Sequence, residues 1–155
     1  MSVITGENLT PPLFSKSFQD NLVEITIPTA LNSTGSPAYF PLGTLEQGQN
    51  YLIVSNLVTE NLATNTEVIL SIYGNTETDA YPIYNQIGTA YDGANIADFY
   101  TPTITRQGFN IISPPVTQTY SLSYLMDYTG TPSPLPQISP SSSGSLIQIL
   151  KLSEN

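Results

Sequence analysis

Apolar and polar residues alternate one by one along several short stretches of the chain, and this period of two is typical of a half-buried β-strand. The first such stretch covers residues 22–27, where Val23, Ile25 and Ile27 share one face. Pro28 follows directly, and it ends the ladder because proline has no backbone N–H to donate. The pattern therefore predicts a strand over residues 22–27.

The middle of the chain holds further strand-like runs separated by turn residues. Two β-rich runs, residues 49–58 and 67–74, are joined by the polar residues 60–66, and together they predict an antiparallel hairpin with a long loop. Shorter strands, the first of them an edge segment, are predicted at residues 39–42, 81–87, 97–101, 103–106 and 109–113.

Two stronger runs close this pattern, at residues 119–128 and 145–152, and we expect them to pair as a hairpin. The first run places tyrosines on one face and serines on the other, as in a strand with one wet face. The second run is apolar on both faces, which predicts either a central strand or a strand covered by a neighbouring subunit. Its two faces carry Ile147 and Ile149 on one side, and Leu146, Leu150 and Leu152 on the other.

Between these runs, residues 130–144 are rich in Pro and Ser, a composition that favours extended backbone. A connection of this length between two strands is uncommon unless it is functional or disordered. Leu135 and Ile138 give it apolar anchors, so we expect it either to dock on a neighbouring subunit or to form a flexible loop. The candidate interface residues are Leu135, Ile138, Leu146, Ile147, Ile149, Leu150 and Leu152.

About eight short strands at regular spacing, with no long helical period, predict an all-β fold, an antiparallel two-sheet sandwich of the eight-strand jelly-roll type. An immunoglobulin-type sandwich is less favoured because the chain has neither Cys nor Trp. We expect one domain over residues 21–155, preceded by an extended N-terminal arm, residues 1–20, that contains Pro11 and Pro12. The arm is expected either to fray or to pack on a neighbouring subunit.

Charge excludes several functions. The formal net charge is −9, and the only cations are Lys16, Arg106 and Lys151, so no basic surface is available for phosphates and no nucleic-acid partner is expected. The same charge opposes binding to an anionic membrane, and no run of 18 apolar residues occurs. The first residues lack the basic and apolar regions of a secretory signal, so we expect synthesis in a cytoplasm.

Catalytic chemistry has few candidates in this composition. Without His or Cys, imidazole bases, thiolate nucleophiles and most transition-metal sites are excluded. Acidic pairs could serve a glycosidase, and Asp92, Asn95 and Asp98 offer oxygen ligands for calcium, but acidic residues in turns are more often solvated. We therefore predict no catalytic residue, metal or cofactor. The acidic pairs are Glu77 with Asp79 and Asp92 with Asp98.

Over residues 20–155, a short acidic chain without His or Cys, rich in Thr, Asn, Pro and Tyr and ending on the strand Ser145–Leu152, resembles small viral and bacteriophage structural proteins. The nearest classes are capsid decoration (cement) proteins and trimeric jelly-roll heads of fibres. The resemblance implies a non-enzymatic homo-oligomer, with a trimer favoured, that binds capsid or other virion proteins and resides in the virion after synthesis in the host cytoplasm. The alternatives are a carbohydrate- or receptor-binding module with its site at residues 77–79 and 92–98, and a glycan-active enzyme.

Overall fold

The alternating stretches form β-strands in the computed structural model, which describes residues 22–62, 66–77, 80–86, 103–128 and 130–152. Its strands are β1 (Leu22–Ile25), β2 (Ala38–Leu45), β3 (Tyr51–Glu60), β4 (Glu67–Gly74), β5 (Tyr81–Gln86), β6 (Ile104–Ile112), β7 (Gln118–Asp127), β8 (Gln137–Ile138) and β9 (Leu146–Lys151). Within the described residues the only helical element is a 3-10 turn, Ser141–Ser143. The predicted arm, the strand at 97–101 and the acidic turn at 92–98 lie outside these residues.

The strands form two antiparallel sheets that pack face to face. Sheet 1 has the order β1-β9-β3-β6, with the two-residue β8 pairing with β3 beyond the end of β9. Sheet 2 has the order β2-β7-β4-β5. All pairings are antiparallel. This strand order, with eight main strands, is a jelly roll and confirms the predicted fold class.

The core lies between the inner faces of the two sheets, where every second side chain of each central strand points. In β3 and β4 buried and half-buried residues alternate without interruption. Sheet 1 contributes chiefly Ile53, Leu57, Ile112, Ile147 and Ile149. Sheet 2 contributes chiefly Val68, Leu70, Ile72, Tyr120, Leu122 and Met126.

Both predicted hairpins are wrong. The strands β3 and β4 belong to different sheets, and so do β7 and β9, so each long connection crosses from one sheet to the other. Alternation defines which face of a strand is buried, but it does not say to which neighbour the backbone hydrogen bonds run. Strands that follow one another along the chain are usually also neighbours in a sheet, but in a jelly roll most consecutive strands lie in different sheets.

Two predicted short strands, residues 103–106 and 109–113, form the single strand β6. Gly108 lies between the two predicted strands, and glycine weakens a strand pattern. In the structure Gly108 sits in mid-strand, where an added Cβ would lie 3.0 Å from Cγ2 of Ile83. The glycine thus provides room for a close approach between β6 and β5.

The second half of the Pro/Ser-rich segment, residues 136–141, packs on its own chain, which corrects the expectation of a flexible loop there. Docking of the exposed Leu135 on a neighbour stays a prediction. Ile138 and Leu31 exchange two backbone hydrogen bonds, at 2.8 and 2.9 Å. Ser141 donates its N–H to the carbonyl of Ile27 at 2.8 Å, and its hydroxyl accepts the N–H of Ile27 at 2.8 Å. These hydrogen bonds pair the backbone N–H and C=O groups of Ile27 and Leu31, which follow β1.

Candidate interaction surface

Large apolar side chains cover the outer face of sheet 1. The backbone register places Leu22 opposite Leu150, Leu150 opposite Leu52, and Leu52 opposite Ile111, so one row of four apolar residues crosses the whole sheet. In the next row Val54 stands opposite Phe109. We call this set the apolar face; its residues are Leu22, Leu52, Val54, Phe109, Ile111, Leu146 and Leu150.

The edge strand β6 gives the apolar face its most exposed side chains. Phe109 is 68% exposed and Ile111 is 67% exposed, although both lie on a regular strand. Leu52, Val54 and Leu150 are half-buried between their cross-strand neighbours. Single exposed apolar residues are ordinary, but a contiguous patch of them marks an interaction surface.

Charge is nearly absent from the rows that form the apolar face. Glu24 is the one ionised residue in them, and its carboxylate accepts a hydrogen bond from Nε2 of Gln148 at 3.1 Å. The third row holds Leu146 beside the neutral side chains of Asn56 and Gln107, and Nε2 of Gln107 donates to Oδ1 of Asn56 at 3.2 Å. The surface therefore suits an apolar, uncharged partner.

The structure distributes the predicted interface residues over four places. Leu146 and Leu150 lie on the apolar face, and Leu135 is an exposed loop residue. Leu152 is half-buried just after β9, where its N–H donates to the carbonyl of Asn50 at 2.8 Å.

The other three predicted interface residues, Ile138, Ile147 and Ile149, are core residues with at most 5% exposure. This placement corrects the prediction for them, because side chains covered by their own chain offer no surface to a partner. The strand of Ile147 and Ile149, β9, is central in sheet 1, which agrees with the first of the two readings of its sequence. Sequence reasoning also missed five members of the apolar face: Leu22, Leu52, Val54, Phe109 and Ile111.

One acidic candidate, Glu77, lies within the described residues, and its carboxylate holds together a polar cluster at the end of β4. Oε1 of Glu77 accepts hydrogen bonds from the hydroxyl of Tyr120 and, at 3.2 Å, from Nε2 of Gln118. Oε1 of Gln118 in turn accepts the N–H and hydroxyl of Thr76, at 2.8 and 2.9 Å. These bonds orient Glu77 as an acceptor for its own chain; its predicted partner Asp79 lies outside the described residues.

The same cluster raises the pKa values of two tyrosines, Tyr81 and Tyr120. Burial, followed by the hydrogen bond and charge of Glu77, raises the pKa of Tyr81 to about 12. Burial and Glu77 also raise the pKa of Tyr120. Both phenols are therefore neutral donors at ordinary pH, which is the state that a carboxylate acceptor requires.

Arg106, one of the three cations, is in the interior. Its guanidinium carbon lies 3.8 Å from the ring centroid of Tyr84, a cation–π contact between β6 and β5. Burial lowers the pKa of Arg106, and Tyr84 opposes that effect. The side chain is only 9% exposed, so this cation adds no charge to the outer surface.

No protein-family model matches the sequence, and no curated protein matches it. Among solved structures, the fold is similar to that of the Eiger TNF of S. frugiperda, with 10% sequence identity and a TM-score of 0.45 over 86% of this chain and 87% of that chain. A similarity of this degree concerns the fold alone. Among the described residues, no helix has the length and composition to cross a bilayer.

Proposed function

We propose that this chain is a non-enzymatic structural protein that assembles with copies of itself by burying the apolar face of sheet 1. The observation that carries the proposal is the exposure of Ile111, at the end of a row of four apolar residues, and of Phe109 in the next row, on a face with almost no charge. Depletion of charge at the centre and enrichment in aromatic residues are the compositional marks of a subunit interface.

The magnitudes favour contact between copies. Since full burial of a Phe or Ile side chain contributes about 1.5–3 kcal/mol, covering the exposed two-thirds of Phe109 and Ile111 contributes about 2–4 kcal/mol per chain. Association costs at least about 4 kcal/mol in lost freedom of motion. A flat polar partner contributes too little apolar contact to offset that cost. A second copy contributes its own Phe109 and Ile111, which doubles the apolar contribution, and both copies also bury the half-buried leucines of the face.

The finer proposal is a trimer in a virion, where the protein decorates a capsid or forms part of a fibre after synthesis in the host cytoplasm. The support is the resemblance in composition to such proteins, together with a net charge of −9 that keeps the remaining surface soluble. Antibody labelling of purified particles tests this part. Particles that carry no label while the chain is abundant in the infected-cell lysate contradict it.

The oligomer is tested by mass in solution. We expect the purified chain to sediment at about three times its chain mass of 16.8 kDa at micromolar concentration. We expect Ile111→Asp to sediment as a monomer, because a buried unpaired carboxylate is costly. The matched control is Tyr39→Asp, a similarly exposed position on the outer face of sheet 2. A wild-type chain that remains a monomer contradicts the proposal.

One observation favours a second candidate, a glycan-binding module. The rings of Tyr39 and Tyr73 meet across β7 on the outer face of sheet 2, with centroids 5.1 Å apart and an angle of 44°. Ser121 and Ser123 of β7 stand opposite these tyrosines in the register, so apolar rings and hydroxyls occur together. A glycan array probed with the wild-type chain and with Tyr39→Ala tests this candidate, and an array without hits removes it.

A further inference from the structure

The inner face of β6 carries a cation, Arg106, at one side of the sandwich. Arg106 stands opposite the buried Leu57 of β3 in the register, so its side chain starts toward the core. β6 is the last strand of sheet 1, and β5, which lies across from it, is the last strand of sheet 2. Nδ2 of Asn110 in β6 donates to the carbonyl of Pro82 in β5 at 3.1 Å, so the two edge strands are in contact. The guanidinium is therefore buried close to the rim of the sandwich and not at its centre.

One edge of the Arg106 guanidinium has no acceptor among the described residues. Nε and Nη2 are both buried, and neither donates a hydrogen bond within this part of the chain. The one ion pair that the described residues form joins Lys151 to Glu46, and it does not involve Arg106. The ring of Tyr84, whose centroid lies 3.8 Å from the guanidinium carbon, offsets part of the charge but has no lone pair directed at these N–H groups. A buried cation with two unpaired donors is costly.

The identity of these two nitrogens defines the chemistry of the partner. In a planar guanidinium, Nε–H and one N–H of Nη2 are parallel, and this fork matches the two oxygens of a carboxylate. A water molecule has one oxygen and no charge, so it compensates the fork only in part. A monocarboxylate brings one negative charge, which a single guanidinium matches, whereas a doubly charged phosphate brings a second charge that would be buried unpaired.

A further donor lies in the neighbouring row of sheet 1. Ser55 is fully buried on the inner face of β3, and its hydroxyl has no partner among the residues that the structure describes. It stands opposite Gly108, two residues along β6 from Arg106, and diagonal neighbours of this kind are about 7–8 Å apart. Ile83 covers Gly108, because an added Cβ there would lie 3.0 Å from its Cγ2. Donors and apolar carbon atoms therefore occur together beside the fork.

We propose that Arg106 binds a small monocarboxylate at the edge between β5 and β6, with Nε and Nη2 donating to its two oxygens. Ile83 and the ring of Tyr84 suit the short alkyl part of such an ion. The binding is independent of the proposed assembly, because Arg106 faces the core whereas Phe109 and Ile111 on the same strand face outward.

The expected affinity is modest. The net charge of −9 repels anions at long range, although salt at physiological concentration screens this repulsion beyond about 8 Å. Acetate, the probe chosen here, has few atoms with which to make contacts, so we expect a Kd of about 1–10 mM.

The sequence supplies a specific reporter, because Arg106 is its only arginine. The full chain is labelled with ¹⁵N, and its one arginine Nε–H signal is followed by NMR while acetate replaces chloride at constant ionic strength. We expect a saturable downfield shift and an exchange of the Nε proton with water that is about ten-fold slower, because the proton enters a charge-assisted hydrogen bond. Phosphate, titrated in the same way, is expected to shift the signal less.

Thermal unfolding with two variants locates the effect. We expect the Tm of the wild-type chain to rise by about 3–6 °C when acetate reaches ten times its Kd. Arg106→Lys keeps the charge but lacks the fork, and it is expected to lose this saturable rise. The matched control, Lys151→Gln, removes the other cation of the described residues and is expected to keep it. The general stabilisation by excluded salts does not saturate and is common to all three chains.

Four outcomes overturn the proposal. An Nε–H signal that acetate does not move favours water as the partner of the fork, and this measurement needs no variant to fold. A signal that moves in Asp92→Asn or Asp98→Asn, and not with acetate, favours a carboxylate of the same chain. Saturation by phosphate at a lower concentration than by acetate contradicts the choice of a monocarboxylate. A rise in Tm that Arg106→Lys retains in full shows that acetate acts elsewhere.

Discussion

The outer faces of the two sheets differ sharply although their inner faces are alike. On sheet 2, Tyr39, Ser123 and Ser71 stand in one cross-strand row, and hydroxyls can bond to water. On sheet 1 the comparable row is made entirely of Leu and Ile. Half-buried Ile69 and Leu125 lie toward one end of sheet 2, but its centre carries hydroxyl groups. A jelly roll needs only its inner faces to fold, so the apolar outer face of sheet 1 points to a partner.

The largest expected effect comes from comparing substitutions on the two faces of β9. Ile149→Ala removes a core side chain and is expected to lower the free energy of unfolding by about 2–5 kcal/mol, equally at all protein concentrations. Leu150→Ala, one residue later on the apolar face, is expected to cost less in the isolated chain. Its effect should grow with protein concentration, because Leu150 is buried further by assembly. Urea unfolding at two concentrations measures both, and a loss for Leu150→Ala that does not vary with concentration contradicts the distinction.

The next effect compares an exposed aromatic residue on each sheet. Phe109→Ser is expected to weaken self-association by about 1–2 kcal/mol per chain, or about 5- to 30-fold in Kd. Tyr39→Ser on sheet 2 is expected to leave Kd unchanged, since its surface stays hydrated. Sedimentation equilibrium gives both constants. Equal weakening by the two substitutions shows that the difference between the faces has no role in assembly.

A third effect compares two glycines at inner positions. Gly74→Ala places a Cβ 2.8 Å from both Oε1 of Glu77 and Cε2 of Tyr120, and we expect it to destabilise the fold by about 1–3 kcal/mol. Gly108→Ala in sheet 1 meets Ile83 at 3.0 Å, and only the methyl and methylene carbons of one side chain need to shift, so its loss should be smaller. Thermal unfolding ranks the pair, and the reverse order contradicts the account of the polar cluster.

The smallest effect is a pH dependence confined to sheet 2. The folded-state pKa of Tyr81, about 12, lies above its unfolded value of 10.0, so the folded state holds this proton more tightly. Its contribution to stability is complete below pH 10.0 and is lost as the pH rises through about 12. Glu77→Gln removes a negative charge and should let tyrosinate absorbance appear at lower pH in the folded chain. Tyr81→Phe identifies that signal, and an unchanged titration in Glu77→Gln contradicts the role of the carboxylate.

The sequence was sufficient to predict most of the strands, and also the buried side of strands such as β1 and β7, where polar residues alternate with apolar ones. It led to two wrong hairpins, since the partner of β3 and of β9 is chosen by contacts far along the chain. It also assigned Ile147 and Ile149 to an interface, because a strand that is apolar on both sides gives no sign of which side the core takes.

Most residues of the apolar face could not be predicted from the sequence, because the pattern along one strand does not show which strands lie beside it. Leu52 and Val54 alternate with core residues in β3, and Phe109 and Ile111 alternate with them in β6. Only the register brings these strands side by side and turns single outward residues into a patch. The polar cluster was equally invisible, since Glu77 and Tyr120 are 43 residues apart.

The pairing of β1 with β9 has a consequence for synthesis. Leu22 completes its row only when it meets Leu150, which the ribosome adds 128 residues later. Until then the N-terminal strand has no partner, and such distant contacts form slowly because a long loop must close first. Nascent chains on one messenger therefore lack the finished apolar face while they are crowded together. In the proposed assembly, self-recognition is therefore postponed until residue 150 has been made, so that unfinished chains do not join prematurely.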